Sequence, residues 1–254
     1  MILDSFRLDG KVALVTGGGR GLGQGAALAL AEAGADIALL DRTAPAETVA
    51  AVEALGRRAF ALEQDLITAT PAELAASVDA VVAALGRIDI LVNNAGIIRR
   101  APLLEHPAQD WDEVLAINLD AVFHLSQAAG RRFVAQGSGK IINIASMLSF
   151  QGGILVPGYA ATKHAVAGLT KSFANELAAH GVNANAIAPG YMATENTAPI
   201  RADQERSASI LDRIPAGRWG TPADLQGAFV FLASPASDYL NGAIIPVDGG
   251  WLVR

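Results

Sequence analysis

The run Val12-Ala13-Leu14-Val15-Thr16 leads directly into Gly17-Gly18-Gly19-Arg20-Gly21-Leu22-Gly23, and an alanine-rich stretch to Ala33 follows. The first five residues read as a fully buried strand and the last eleven as a helix. Glycines between them let the chain turn tightly and bring backbone N–H groups close to a phosphate at the helix N-terminus. The spacing Gly17-x3-Gly21-x-Gly23 departs from the common G-x-G-x-x-G pattern, so position carries the reading. The loop sits after the first strand and before the first helix, where a dinucleotide pyrophosphate is cradled.

Outward from this unit the chain keeps the same rhythm. Strands are expected at Asp36–Leu40, Ala59–Glu63, Ile88–Val92, Lys140–Ala145, Asn183–Ile187 and Ala243–Val247. Helices are expected at Ala44–Leu55, Pro71–Leu85, Trp111–Ala135, Tyr159–His180 and Pro222–Ala233. Strict alternation predicts an α/β fold, a single Rossmann-type doubly wound parallel sheet of about seven strands with helices on both faces. Thr221-Pro222 supplies a polar cap with a first-turn proline, and His180-Gly181 a glycine stop. No linker interrupts residues 1–254, which predicts one domain. The exception is the polar excursion 191–218, placed where such folds carry a substrate lid.

Composition narrows the chemistry. The 254 residues carry no cysteine, which removes disulfides, a thiolate nucleophile and cysteine-held zinc or iron–sulfur centres. It fits a reducing cytoplasm, the expected location. A formal charge of −6 argues against nucleic acid as partner. The first ten residues hold Asp4, Arg7 and Asp9 without an apolar core, so no secretory signal is expected. No stretch reads as a membrane span. His106, His124, His164 and His180 are scattered, and no metal site is expected.

The ends of the next strands converge on the same crevice. Asp41 closes the second strand, where a carboxylate accepts bonds from ribose hydroxyls and repels a 2′-phosphate, favouring NAD over NADP. Arg20 and Arg42 flank it and soften that preference. Asp65 and Leu66 follow the third strand, placed for adenine. Asn93-Asn94-Ala95-Gly96 follows the fourth, where small residues let the chain pass a bound dinucleotide.

Tyr159 and Lys163 stand four apart on one predicted helix face. Tyrosine is a poor base near neutrality. A neighbouring ammonium, together with the positive ring of an oxidised nicotinamide, lowers its pKa. Ser146 ends the preceding strand, where a hydroxyl holds a substrate oxygen. Asn118 lies inside a helix, where a buried amide normally finds a partner.

Thr16–Gly23, Asn93–Gly96, Asn118, Ser146, Tyr159, Lys163 and Pro189-Gly190 occur in the order and spacing of the short-chain dehydrogenase/reductase family, which the whole chain resembles. The resemblance implies Tyr159 as general acid/base and Ser146 as orienter of the reacting oxygen. It implies Lys163 on the nicotinamide ribose, and Asn118 anchoring a water that leads from Lys163. It also implies cofactor contacts from Gly17, Arg20, Gly21, Leu22, Gly23, Asp41, Asp65, Leu66, Asn93, Ala95 and Gly96. Pro189, Gly190 and Thr194 join them, with Thr194 receiving the nicotinamide carboxamide. The family usually forms homotetramers through the two long central helices.

The loops Ile97–Arg100, Ser146–Gly153, Tyr191–Thr194 and Ile210–Gly220 resemble members that oxidise deoxy-sugar acids in uronate breakdown. That implies NAD(H)-linked exchange of a secondary hydroxyl and a ketone. A carboxylate substrate suits a bidentate arginine, which makes Arg99, Arg100 and Arg206 candidates, with Gln151, Met192 and Trp219 as further substrate neighbours. Two other readings stand beside it. One is another carbonyl reductase of the family, such as an NADPH-linked 3-oxoacyl carrier-protein reductase, which Asp41 opposes. The other is a dinucleotide-binding regulator without activity, which an intact catalytic set opposes.

Overall fold

β1 (Val12–Thr16) is buried along its length and lies mid-sheet, between β2 (Asp36–Asp41) and β4 (Ile90–Asn93). In the computed structural model, which describes Met1–Arg254, β3 (Ala59–Glu63), β5 (Gly139–Ile144), β6 (Val182–Pro189) and β7 (Ile244–Val247) complete one seven-stranded sheet. Its order is β3-β2-β1-β4-β5-β6-β7, and every pairing is parallel. The order reverses between β1 and β4, so a crevice opens beyond their carboxyl ends.

Helices cover both faces, as a parallel sheet requires. α1 (Gly21–Glu32) and α9 (Pro222–Ala233) seal one side, where Leu30, Leu225 and Phe229 pack on Val15, Ile37 and Ile187. α3 (Pro71–Leu85) and α5 (Ala121–Gln136) seal the other, with Val78, Leu125 and Phe133 over Leu14, Leu91 and Ile141. Phe133 and Phe229 are fully buried, and truncating either to alanine costs about 3–5 kcal/mol. α2 (Ala46–Ala54) lies beyond β2.

The expected helix over 111–135 is different in detail. α4 (Ala108–Leu115) starts earlier, and residues Ala116–Asp120 form a π-helical turn before α5. Asn118 lies in that turn, and its side chain clamps the backbone of Ile97 on both sides: Oδ1 accepts from its N–H at 2.9 Å and Nδ2 donates to its carbonyl at 3.0 Å. α6 (Pro157–Leu177) runs against α4 and α5. The fourth strand also begins two residues later than its apolar run suggested. The excursion 191–218 holds α7 (Ala198–Ala202) and α8 (Gln204–Arg213).

Candidate active site

At the switch point the tips of β1 and β4 are tied together. Thr16 Oγ1 accepts from the N–H groups of Asn94 and Ala95, each at 3.0 Å. Asn94 Nδ2 donates to the carbonyls of Thr16 at 2.9 Å and Gly17 at 3.1 Å. Asn94 therefore holds the glycine loop, a role the paired Asn93-Asn94 did not disclose. Asn93 corrects the expectation of a cofactor contact. It ends a strand with its side chain on the core side, buried, and donates to Ser126 Oγ and Asn143 Oδ1.

The loop is shaped for close approach. Gly17 and Gly21 sit at φ +64° and +57°, the left-handed region. A Cβ on Gly23 would lie 2.1 Å from the Gly17 carbonyl oxygen. No side chain caps α1, so its first-turn N–H groups face the loop without a protein partner. Asp41 Oδ2 accepts from Gly19 N–H at 2.9 Å. These features fit a dinucleotide: a backbone cradle at a helix N-terminus, with a carboxylate placed at the end of β2. A cleft of about 500 Å³ runs from here past Asp65, Leu66, Ala95 and Gly96 to Tyr159, Lys163 and Thr194. Gly17, Arg20, Gly21, Leu22 and Gly23 line its other wall. Pro189 and Gly190 are not in the lining. Pro189 ends β6 buried, and Gly190 is pressed against Asp248.

α6 presents Tyr159 and Lys163 on one face, with Lys163 Nζ 5.5 Å from the tyrosine ring centroid. Lys163 is buried; its Nζ donates at 2.6 Å to the Ile144 carbonyl, the last residue of β5. Burial pushes its pKa down to about 8. Ser149 Oγ donates to the Lys163 carbonyl at 2.6 Å, fastening α6 to the loop that carries Ser146. The expected lowering of the Tyr159 pKa is not what the protein alone produces. Burial pushes it up, and the Ser146 hydroxyl and Arg100 only partly oppose this.

The remaining substrate candidates separate. Arg99 is committed: Nε and Nη2 donate to Glu113 Oε2 at 3.0 and 2.6 Å, and Asp110 lies 3.8 Å away. Arg100 meets only the Asn196 carbonyl, at 3.4 Å. Gln151 is held by Trp251, Met192 is buried beside Gly220, and Trp219 packs edge-on against Tyr191. Arg206 is exposed in the first turn of α8, where Asp203 caps its backbone N–H. Arg20 forms an ion pair with Glu195, bridging the glycine loop to the excursion.

A glycine-loop crevice joined to a Ser–Tyr–Lys cluster defines a dinucleotide-dependent oxidoreductase. The family model described as short chain dehydrogenase matches residues 11–205, and the chain belongs to that family. Its cofactor is a nicotinamide dinucleotide. The chain is similar to 2-dehydro-3-deoxy-D-gluconate 5-dehydrogenase of Escherichia coli (strain K12), 61% identical over 257 residues and covering 100% of both chains. The enzyme of that name from Dickeya dadantii (strain 3937) is 59% identical over 255 residues, again with 100% of both covered. Among solved structures, a gluconate 5-dehydrogenase from Burkholderia cenocepacia in complex with NADP and tartrate superposes with a TM-score of 0.95, at 44% identity and 100% coverage of each chain. No helix is long and apolar enough to cross a membrane.

Proposed function

We propose that this chain interconverts a secondary hydroxyl and a ketone on a deoxy-sugar acid, acting as an NAD(H)-dependent 2-dehydro-3-deoxy-D-gluconate 5-dehydrogenase. The observation that carries the reading is the Ser146–Tyr159–Lys163 cluster together with Arg100, an exposed guanidinium without a carboxylate partner whose charge is felt at Tyr159. A hydroxylated carboxylate ligand, as in the tartrate complex of the relative, suits such a cation. The full-length 61% identity to an enzyme of that name supports the substrate.

In this reading Arg100 takes the carboxylate, and Ser146 donates to the reacting oxygen. When bound, the dinucleotide supplies or accepts the hydride at the substrate carbon. In reduction Tyr159 gives its phenolic proton to the oxygen, and the Lys163 ammonium stabilises the phenolate left behind. In oxidation Tyr159, as phenolate, takes the hydroxyl proton. Asn118 holds the backbone after β4 in place, and Lys163 with Thr194 would hold the nicotinamide end. Asp41 faces the ribose end and supports NAD over NADP, with Arg42 beside it tempering the preference.

We further propose a homotetramer, supported by the partly exposed Trp111 of α4 and Phe123 of α5, the latter stacked on Phe173 of α6. The cytoplasm is the proposed site of action, and the whole chain works as one unit with 191–218 as its substrate lid. One assay decides between these readings. NADH oxidation is followed with 2,5-diketo-3-deoxygluconate, 5-ketogluconate and an acetoacetyl thioester. The expected order of kcat/KM puts the deoxy-sugar acid first; turnover of the thioester alone would move the chain to the acyl-reductase reading.

A further inference from the structure

Three segments far apart in the chain meet at one side chain. Trp251 is buried, and its indole Nε1–H donates at 3.0 Å to Gln151 Oε1, in the loop that follows Ser146. The Arg213 guanidinium, at the end of α8, lies 3.9 Å from the centroid of the indole. The Tyr191 ring, where the excursion leaves the sheet, packs edge-on at 4.8 Å. Met147, next to Ser146, shares this buried apolar cluster with Ile210 and Ile214 of the lid.

The turn carrying Trp251 is built to insert there. Asp248 accepts the N–H groups of Gly250 and Leu252, each at 2.9 Å, and the Gly249 carbonyl accepts Ala216 N–H at 3.0 Å. Gly249 and Gly250 take φ +65° and +91°. A Cβ on Gly249 would stand 3.0 Å from Ile214, and one on Gly250 2.9 Å from Pro215. The segment therefore wedges between the lid's descending limb and the catalytic loop.

We propose that Trp251 is a positioning residue that fixes the lid 191–218 over the loop Ser146–Gly153, and so sets affinity for the sugar acid without touching the reacting atoms. The proposal rests on the sugar-acid reading only for its choice of substrate. None of Tyr191, Gln151, Met147, Ile210, Arg213 and Ile214 lines the dinucleotide cleft, so cofactor and substrate effects separate. A lid displaced at its base misplaces every substrate contact it carries.

Trp251→Phe keeps a ring against Arg213 and Tyr191 and deletes the indole donor; Gln151→Leu deletes the acceptor. Losing this partly buried hydrogen bond predicts about a tenfold rise in KM for the sugar acid in either variant, and no further rise in the double variant. The kcat stays within about threefold, and the NADH dissociation constant, read by fluorescence titration, within about twofold. Trypsin needs no substrate: cleavage after Arg201, Arg206 or Arg213 is expected to quicken about fivefold or more in both variants as lid docking weakens. Unchanged cleavage in both, an NADH constant that rises with KM, or faster cleavage with unchanged KM overturns the proposal. If Trp251→Phe fails to fold, Gln151→Leu decides alone. If no sugar acid is turned over, the trypsin rates still decide the docking role, and the failure then belongs to the substrate reading.

Discussion

Lys163 Nζ stands 5.5 Å from the Tyr159 ring centroid while it donates at 2.6 Å to the carbonyl of Ile144. The ammonium is thus held by the strand that ends at the catalytic loop, and one helix face delivers both groups to the cleft. In the proposed mechanism Tyr159 moves the proton to and from the substrate oxygen. Tyr159→Phe is expected to bind NADH normally and to lose about 10³-fold in kcat. Near-normal turnover in that variant would remove Tyr159 from the proton step.

Burial of Lys163 gives a pH signature in stability. Its folded pKa of about 8 lies below the ordinary value of 10.5. Between those limits the unfolded chain binds a proton that the folded chain has released, so wild-type stability rises with pH across this window. Below pH 8 the charged amine is buried at full cost, and Lys163→Met escapes it. The variant's advantage in urea unfolding is expected to shrink from pH 7 to pH 10, by up to about 3 kcal/mol. A gap independent of pH would show that the folded amine keeps its proton across this window and that burial does not lower its pKa.

Much of this architecture was legible from local pattern. The apolar run Val12–Thr16, the glycines after it and the spacing from Tyr159 to Lys163 depend only on neighbours in the chain; the structure buries the run as β1 and brings Gly17, Gly21, Gly23, Tyr159 and Lys163 to one crevice. What escaped depends on distant partners. Strand parity sent Asn93 into the core and left Asn94 to hold the glycine loop. Arg99 and Arg100 look alike in sequence, but Glu113 and Asp110 claim only the first. The Gln151 side chain was drawn off by an indole 100 residues later. A 3.6-residue period cannot register the π-helical turn at Asn118. The lysine beside Tyr159 was visible, but the burial that raises the tyrosine pKa was not.

The proposed preference for NAD rests on Asp41, whose Oδ2 is oriented by Gly19 N–H at 2.9 Å and Oδ1 by Arg42 N–H at 2.7 Å. A fixed carboxylate there repels a 2′-phosphate and leaves Arg42 to attract one. Asp41→Asn keeps the acceptors and removes the charge. Its ratio of kcat/KM for NADPH over NADH is expected to rise by about tenfold or more. An unchanged ratio would take coenzyme discrimination away from this position.

The two adjacent arginines make opposite predictions. Arg100→Gln is expected to raise KM for the sugar acid about tenfold or more, because a charge-assisted pair is lost. It also removes a positive charge that lowers the Tyr159 pKa. The tyrosine pKa then rises, and the pH at which oxidation reaches half its maximum moves upward. Arg99→Gln loses its ion pairs with Glu113 and Asp110 instead, and its KM is expected to stay within about threefold. A larger KM effect at Arg99 would reverse the assignment.

The glycine loop offers the sharpest steric test. A methyl on Gly23 would sit 2.1 Å from the Gly17 carbonyl oxygen and 2.4 Å from Asn94 Nδ2. Neither neighbour has room to yield: Gly17 is itself held in the left-handed region with Ala95 Cα 3.0 Å from its own Cβ direction. Gly23→Ala must therefore open the loop at the point where the backbone would meet the pyrophosphate. It is expected to weaken NADH binding by about 100-fold and to cost about 1–3 kcal/mol in stability from overpacking. Gly227→Ala is the matched control, since Gly227 lies within α9 with nothing near its Cβ direction. That change should leave NADH binding untouched and add up to about 1 kcal/mol of helix stability. Wild-type NADH affinity in Gly23→Ala would mean that the loop is not the phosphate cradle.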